Sequence, residues 1–266
     1  MLSTVTPWDT VAEGYSEITM QLFQGYTDEA LALANLDAGC NVVDIACGPG
    51  TLALAAAKRV NSVNAIDFSE RMVEILRKNI DANKLANVEV RCGDAQHLPY
   101  ENESFDAAFS MFGLMFFPDR QKGYSEIYRT LKPGGRVVIS SWAPVSESSA
   151  MIAMFGAIRA MNPEIPEPRT NPESLENRDL FETELANAGF KDVAVHVVAK
   201  DWPIHSVEEY WNDMVKGSAP ILMMKNSMPE EAWSAKNRIA LDFLRGAISP
   251  VATSLSALAL LGYGRK

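Results

Sequence analysis

Three aspartates and two glycines are the residues of this sequence whose types and spacing could do chemistry. Asp44 sits inside an apolar run of strand length, Asn41-Val42-Val43-Asp44-Ile45-Ala46-Cys47, which breaks at Gly48-Pro49-Gly50. Asp67 closes a second run, Ser62-Val63-Asn64-Ala65-Ile66-Asp67, and Asp94 follows a third, Val88-Glu89-Val90-Arg91-Cys92-Gly93. Glycines at 48 and 50 let the backbone turn sharply and leave no side chain between it and a ligand. Residues 51–58 then read as a helix with Thr51 near its cap, and its free N–H groups suit a small anionic group. Strand, glycine turn and helix together are the architecture of a nucleotide-type cofactor site.

The glycine turn alone leaves the cofactor open. Gly48-Pro49-Gly50-Thr51-Leu52-Ala53 satisfies the permissive dinucleotide fingerprint, and Asp67 lies near the spacing of a ribose-binding carboxylate, so an NAD(P)-dependent oxidoreductase is one reading. Asp44 and Asp94 favour another, because a dinucleotide domain has no standard need for either.

With Asp44-Ile45-Ala46-Cys47-Gly48-Pro49-Gly50, Asp67, Gly93-Asp94-Ala95 and Leu131-Lys132-Pro133-Gly134-Gly135-Arg136 in this order and spacing, the chain resembles the class I S-adenosylmethionine-dependent methyltransferases. Phe105-Asp106 and the stretch Phe112-Gly113-Leu114-Met115-Phe116-Phe117-Pro118-Asp119-Arg120 resemble the branch that contains quinone-biosynthesis and many small-molecule methyltransferases. The resemblance covers the first half to three-fifths of the chain. It implies that S-adenosyl-L-methionine is the cofactor, with Asp67 on the ribose hydroxyls and Asp94 and the Ala95 backbone on the adenine. Gly48 and Gly50 would pass under the methionine portion, Asp44 would anchor its ammonium, and Ser110 would present its carbonyl to the same group. Tyr15, Ala46, Phe68 and Met72 complete the implied cofactor set. Phe112, Met115 and Trp142 are the expected acceptor pocket, with Met151, Met154, Phe155, Met223 and Met224 as adaptable apolar candidates. Each of these is equally a core residue when taken singly. A methyltransferase-like binding module without turnover is a further alternative.

Methyl transfer from a sulfonium expels a neutral leaving group, so alignment and water exclusion carry much of the rate and a base is optional. The three histidines are His97, His196 and His205. His97 lies beyond the expected adenine contact, His196 sits in an alternating strand, and His205 borders an inserted segment, which makes it the best-placed base.

The elements that must position these residues read as a Rossmann-like, doubly wound α/β sheet. Strands are expected at 41–47, 62–67, 88–92, 105–111 and 136–142, alternating with helices, and 257–264 resembles the antiparallel last strand of that family. The site acids fall at strand carboxyl ends, where open sheets of this kind bind ligands. Ser69 is the expected N-cap of a helix running to about 83. Residues 8–37 read as helical, with a second helix from about 27 to 36. This N-terminal segment, 1–37, either closes over the cofactor through Trp8 and Tyr15 or simply packs on the sheet. Residues 143–178 and 202–250 are insertions on the 38–142 core. They hold expected helices at 146–161, 206–216 and 229–246 and a proline-rich loop at 162–172, and they are expected to form a cap within one domain. Between them a helix at 179–188 and a strand at 193–200 are expected.

A chain of 266 residues can bury one sizeable core with insertions to spare. Its net charge of -10 and lack of a basic run disfavour nucleic acid as substrate. Cys40, Cys47 and Cys92 follow no metal or disulfide spacing and fit a reducing cytosol. No leader pattern and no apolar run of membrane-spanning length is present, so a cytoplasmic enzyme is expected, with a small-molecule acceptor and a possible homodimer.

Overall fold

The computed structural model describes residues 2–266; Met1, the first residue of the expected lid segment, lies outside them. The chain runs α1 (Val5–Ala34), β1 (Asn41–Ile45), α2 (Thr51–Ala56), β2 (Ser62–Asp67), α3 (Glu70–Ala82), β3 (Val88–Cys92), β4 (Phe105–Ser110), α4 (Arg120–Thr130) and β5 (Leu131–Trp142). It continues through α5 (Ser149–Met161), α6 (Arg178–Asn187), β6 (Lys191–Pro203), α7 (Val207–Gly217), α8 (Ala219–Asn226), α9 (Glu230–Ala247) and β7 (Ser254–Arg265). The strands form one seven-stranded sheet in the order β3-β2-β1-β4-β5-β7-β6. All pairings are parallel except those of β7, which runs antiparallel to both β5 and β6. β1 lies between β2 and β4, so the winding reverses there and a crevice opens at the carboxyl ends of these strands.

The sheet is Rossmann-like with an antiparallel last strand, as expected. β1 and β4 are buried along nearly their whole length, as central strands of a parallel sheet are. α3 begins at Ser69, whose Oγ accepts the Met72 N–H at 3.1 Å, and its buried face carries Met72, Val73, Ile75 and Leu76. Asp106 ties the lower edge of the sheet together. It accepts the Asn41 N–H at 2.8 Å and pairs with Lys132 at 2.9 Å, linking the starts of β1, β4 and β5.

Three expectations are corrected and one helix is added. The N-terminal segment is one helix of 30 residues rather than two. Gly25 sits mid-helix against the Lys200 side chain, while Tyr26 is fully buried and donates its hydroxyl to the Ala257 carbonyl at 2.8 Å. Burial against β7 therefore outweighs the local cost of a helical glycine, which is roughly 1 kcal/mol. The cap of α2 is Gly50, in the left-handed conformation, and not Thr51. β5 begins at Leu131, five residues before the expected start, through a register irregularity opposite Phe105–Ala107. α8 went unexpected; it opens on Ala219-Pro220, where proline's missing N–H costs nothing.

α5, α7, α8 and α9 share an apolar core of their own, around Trp211, Trp233, Ile221 and Leu244. Trp202 and Leu255, at the adjoining ends of β6 and β7, belong to the same cluster and join it to the sheet.

Candidate cofactor and acceptor site

Two adjoining cavities occupy the crevice. The first, about 350 Å³, is lined by Ala46, Gly48, Asp67, Phe68, Met72, Asp94 and Ala95 from the strand ends, and by Val5, Trp8 and Tyr15 from α1. The second, about 480 Å³, lies between α1, the end of β5 and the helices beyond it, with Phe23, Phe112, Met115, Trp142, Met151, Met154, Phe155 and Trp202 in its wall. Trp8, Tyr15, Phe112 and Phe116 line both. A much smaller recess, about 30 Å³, opens beside Tyr15, Ala46 and Gly48 and reaches Asp44 and Thr27.

The three acids differ in what holds them. Asp67 is buried at the end of β2 and accepts two backbone N–H groups, from Gly48 at 2.8 Å and Ser69 at 2.9 Å. Burial pushes its carboxyl up to about 6 against those two donors, and the charge of Asp9 adds to the rise. Asp44 is buried within β1; its Oδ2 accepts the Ala53 N–H at 3.0 Å and its Oδ1 has no partner. Burial raises its carboxyl to about 7, the Ala53 N–H opposes this, and nearby Asp67 adds to it. Asp94 is half exposed. Against a partial burial that would raise it, the Gln96 N–H, the Gln96 amide and His97 hold its carboxyl below the ordinary range.

The backbone around the first cavity is strained where it must be thin. Gly48 has φ 52, and a Cβ there would meet only Tyr15, at 3.9 Å. Ala46 and Phe112 take left-handed φ values of 54 and 55, which side chains other than glycine rarely adopt. Phe112 is held there because its N–H donates to Ser140 Oγ at 2.7 Å and its ring stacks on Trp142 at 4.2 Å. Gly113 packs beneath, where an added Cβ would lie 2.5 Å from Ala46 Cβ. Over the top, Trp8 donates its indole N–H to the Leu2 carbonyl at 2.8 Å and meets Phe116 at 5.1 Å between rings.

The crevice thus brings together Tyr15, Ala46, Gly48, Asp67, Phe68, Met72, Asp94 and Ala95, with Asp44 in the recess. Three expected positions line none of the three cavities. Gly50 lines none of the three cavities; it caps α2 at φ 94, and a Cβ would sit 2.2 Å from Leu76 Cδ1, so its glycine serves helix packing. Ser110 is fully buried below the crevice, where its Oγ accepts the Leu114 N–H at 3.1 Å. His205 is exposed in the turn between β6 and α7 and lines none of these cavities, because that turn faces solvent. His97 and His196 are exposed as well. Phe112, Met115, Trp142, Met151, Met154 and Phe155 all line the second cavity, whereas Met223 and Met224 do not.

Sequence reasoning passed over Thr27, Phe23, Trp202 and Glu176. Thr27 and Phe23 had a signal in the unbroken helical spacing from Trp8 onward. Trp202 and Glu176 had none, since only the packing of distant segments brings them to the cavity.

A sheet of this order, with an acid closing β2 beside a glycine turn and a second acid after β3, defines the class I methyltransferase fold. Residues 42–135 match the family described as Methyltransferase domain. A demethylmenaquinone methyltransferase of Lactiplantibacillus plantarum is 32% identical over 139 residues, covering 49% of this chain and 59% of that protein. A Bacillus halodurans C-125 structure, BH2331, described as a candidate methyltransferase, superposes with TM-score 0.59 at 21% identity over 91% of this chain and 99% of that one. Phosphoethanolamine N-methyltransferase 2 of Haemonchus contortus, solved with phosphomonomethylethanolamine and S-adenosylhomocysteine, has TM-score 0.54 at 20% identity, covering 90% of this chain and 52% of that one. Through that domain this chain is similar to the S-adenosylmethionine-dependent methyltransferases of class I. It spans between about half and three-fifths of the length of the curated relatives it matches. The comparisons lend nothing to the nicotinamide alternative.

The residues present fit S-adenosylmethionine on a structural observation: Asp44, whose Oδ1 has no partner, lines the recess that opens beside Gly48. A buried carboxylate oxygen without a donor calls for a cation or a water there.

Proposed function

We propose that this protein transfers a methyl group from S-adenosylmethionine to an O, N or C atom of a small, partly apolar molecule. The observation that carries the proposal is the pairing of two cavities, one rich in acids and one aromatic, that meet across Tyr15, Phe112 and Phe116. When bound, the cofactor supplies an electrophilic methyl on a positively charged sulfur. Asp67 would accept the ribose hydroxyls, Asp94 and the Ala95 backbone would hold the adenine, and Asp44 would pair with the ammonium. Phe112 and Trp142 would set the floor on which the acceptor lies and keep water from the reacting atoms. The N-terminal helix and the segments 143–178 and 202–250 would act as lid and cap.

The acceptor does not carry over from the relatives. Of the residues around the second cavity, only Phe112, Met115 and Phe116 fall within the matched span 42–135. Among the described residues no helix is long and apolar enough to cross a membrane. Free cysteines at 40, 47 and 92 support a reducing, cytoplasmic location. The exposed apolar side chains Ile152, Ile239 and Phe243 of α5 and α9 support a homodimer on that face, which light scattering on the purified protein tests. Nucleic acid is not the substrate, given the acidic chain.

Calorimetry with S-adenosylhomocysteine, followed by transfer of labelled methyl to a panel of small phenols, amines and activated carbons, tests the reading. Binding and transfer to a small acceptor are expected. Absence of S-adenosylhomocysteine binding, or transfer to RNA at a comparable rate, would defeat it; binding with no transfer on any acceptor would favour the silent module.

A further inference from the structure

We propose that the acceptor carries a protonatable amine on an apolar or aromatic body, and that Glu176 pairs with the amine; this rests on the methyltransfer reading. Aromatic rings in mutual contact form one continuous part of the second cavity's wall. Trp8 meets Tyr15 at 6.0 Å, Tyr15 meets Phe23 at 6.0 Å, and Phe23 meets Phe112 at 4.7 Å between ring centres. Trp142 stacks on Phe112 at 4.2 Å and meets Trp202 edge-on at 5.9 Å. Ring faces attract cations, and more strongly where water is displaced.

Charge points the same way. No lysine, arginine or histidine lines this cavity, and Glu176 is the one acid among its described lining residues. The Tyr15 hydroxyl stays neutral, pushed up chiefly by burial. Thr19 Oγ1 is spent on the Tyr15 carbonyl at 2.5 Å. Trp202 Nε1 makes no full hydrogen bond but lies beside the Tyr26 hydroxyl, which does not line the cavity. An acceptor bearing a phosphate or carboxylate would therefore enter an acidic protein of net charge -10, meet aromatic faces, and find no counter-ion. An ammonium would find both the ring faces and a carboxylate. Glu176 is half-buried just before α6, and it is held in place by accepting the Asn171 N–H.

Three probes of one shape test this: 2-naphthylmethylamine, 2-naphthylmethanol and 2-naphthoate, titrated calorimetrically with and without S-adenosylhomocysteine. The amine is expected to bind at least tenfold tighter than the carboxylate, with the alcohol between. Glu176→Gln keeps an oxygen for the Asn171 N–H, so the fold should persist, which a thermal melt checks. In that variant the amine should lose most of its advantage over the alcohol, with alcohol and S-adenosylhomocysteine affinities unchanged. Naphthoate binding as tightly as the amine, or an amine preference undiminished in Glu176→Gln, overturns the proposal. Failure of S-adenosylhomocysteine to bind the wild type would instead sink the methyltransfer reading, while the ranking on cofactor-free protein would still decide this one.

Discussion

Replacing Asp44 by Asn should make the cofactor-free protein more stable and its cofactor binding weaker. Burial holds the Asp44 carboxyl at about 7, against 3.8 for an ordinary aspartate. Because the folded value lies above the unfolded one, the folded chain holds more protons between roughly pH 4 and pH 7, and stability falls as pH rises through that window. About three units at ~1.4 kcal/mol each put the penalty of the ionised carboxyl at about 4 kcal/mol once the pH is well above 7. Asn keeps an oxygen for the Ala53 N–H and removes the charge. Its amide N–H₂ would take the place of the partnerless Oδ1 and lose part of the gain. The pH dependence is the cleaner quantity: the variant's advantage at pH 8 should exceed that at pH 5.5 by about 2 kcal/mol, read from urea titrations. Cofactor binding should respond in the opposite sense. Losing one charge-assisted pair costs about 1.5 to 3 kcal/mol, or roughly ten- to a hundredfold in affinity for S-adenosylhomocysteine. Near pH 6 the wild type should release protons on binding, measured by calorimetry in buffers of unlike ionisation enthalpy, and the variant fewer. Wild-type affinity in the variant, or equal stability differences at both pH values, would refute the reasoning.

Asp67→Ala should weaken S-adenosylhomocysteine binding by about 1.5 to 3 kcal/mol in calorimetry and also lower the denaturation midpoint of a protein that still folds. The second effect arises because the Gly48 and Ser69 N–H groups lose their acceptor. Gly50→Ala should separate stability from binding. With φ 94 and a Cβ 2.2 Å from Leu76 Cδ1, it should cost about 1 to 3 kcal/mol in a thermal melt yet leave ligand affinity of the folded fraction within about twofold. Hydrogen exchange by mass spectrometry should show S-adenosylhomocysteine slowing α1, α5 and α7 as well as the strand ends. Slowing confined to 41–112, even with acceptor added, would assign the outer helices to packing alone.

Much of the site could be read along the chain because the chemistry is local in sequence. Asp67 closes its strand and sits two residues from the Ser69 cap, and Gly48 follows Asp44 across one turn. Spacing and backbone conformation decide such arrangements before any packing. Gly50 shows where that logic ends: its left-handed φ is a local need, but the closeness of Leu76, 26 residues away, is not visible along the chain. His205 shows the same limit, since nothing in its surroundings along the chain reveals that its turn faces solvent.

From the sequence by itself came the alternation of strands and helices and the order of the acids. Each follows from hydrophobic period, turn residues and the right-handedness of parallel crossovers, all of which are short-range. Only the tertiary structure decided that the first 30-residue helix runs unbroken over a glycine, since burying Tyr26 against β7 outweighs what the local sequence prefers. It alone also assembled the acceptor cavity, where Phe23, Phe112, Trp142, Glu176 and Trp202 arrive from segments up to about 180 residues apart. Contacts across such separations are made by the packing of whole elements, and no local pattern encodes which side chain each element turns toward the others.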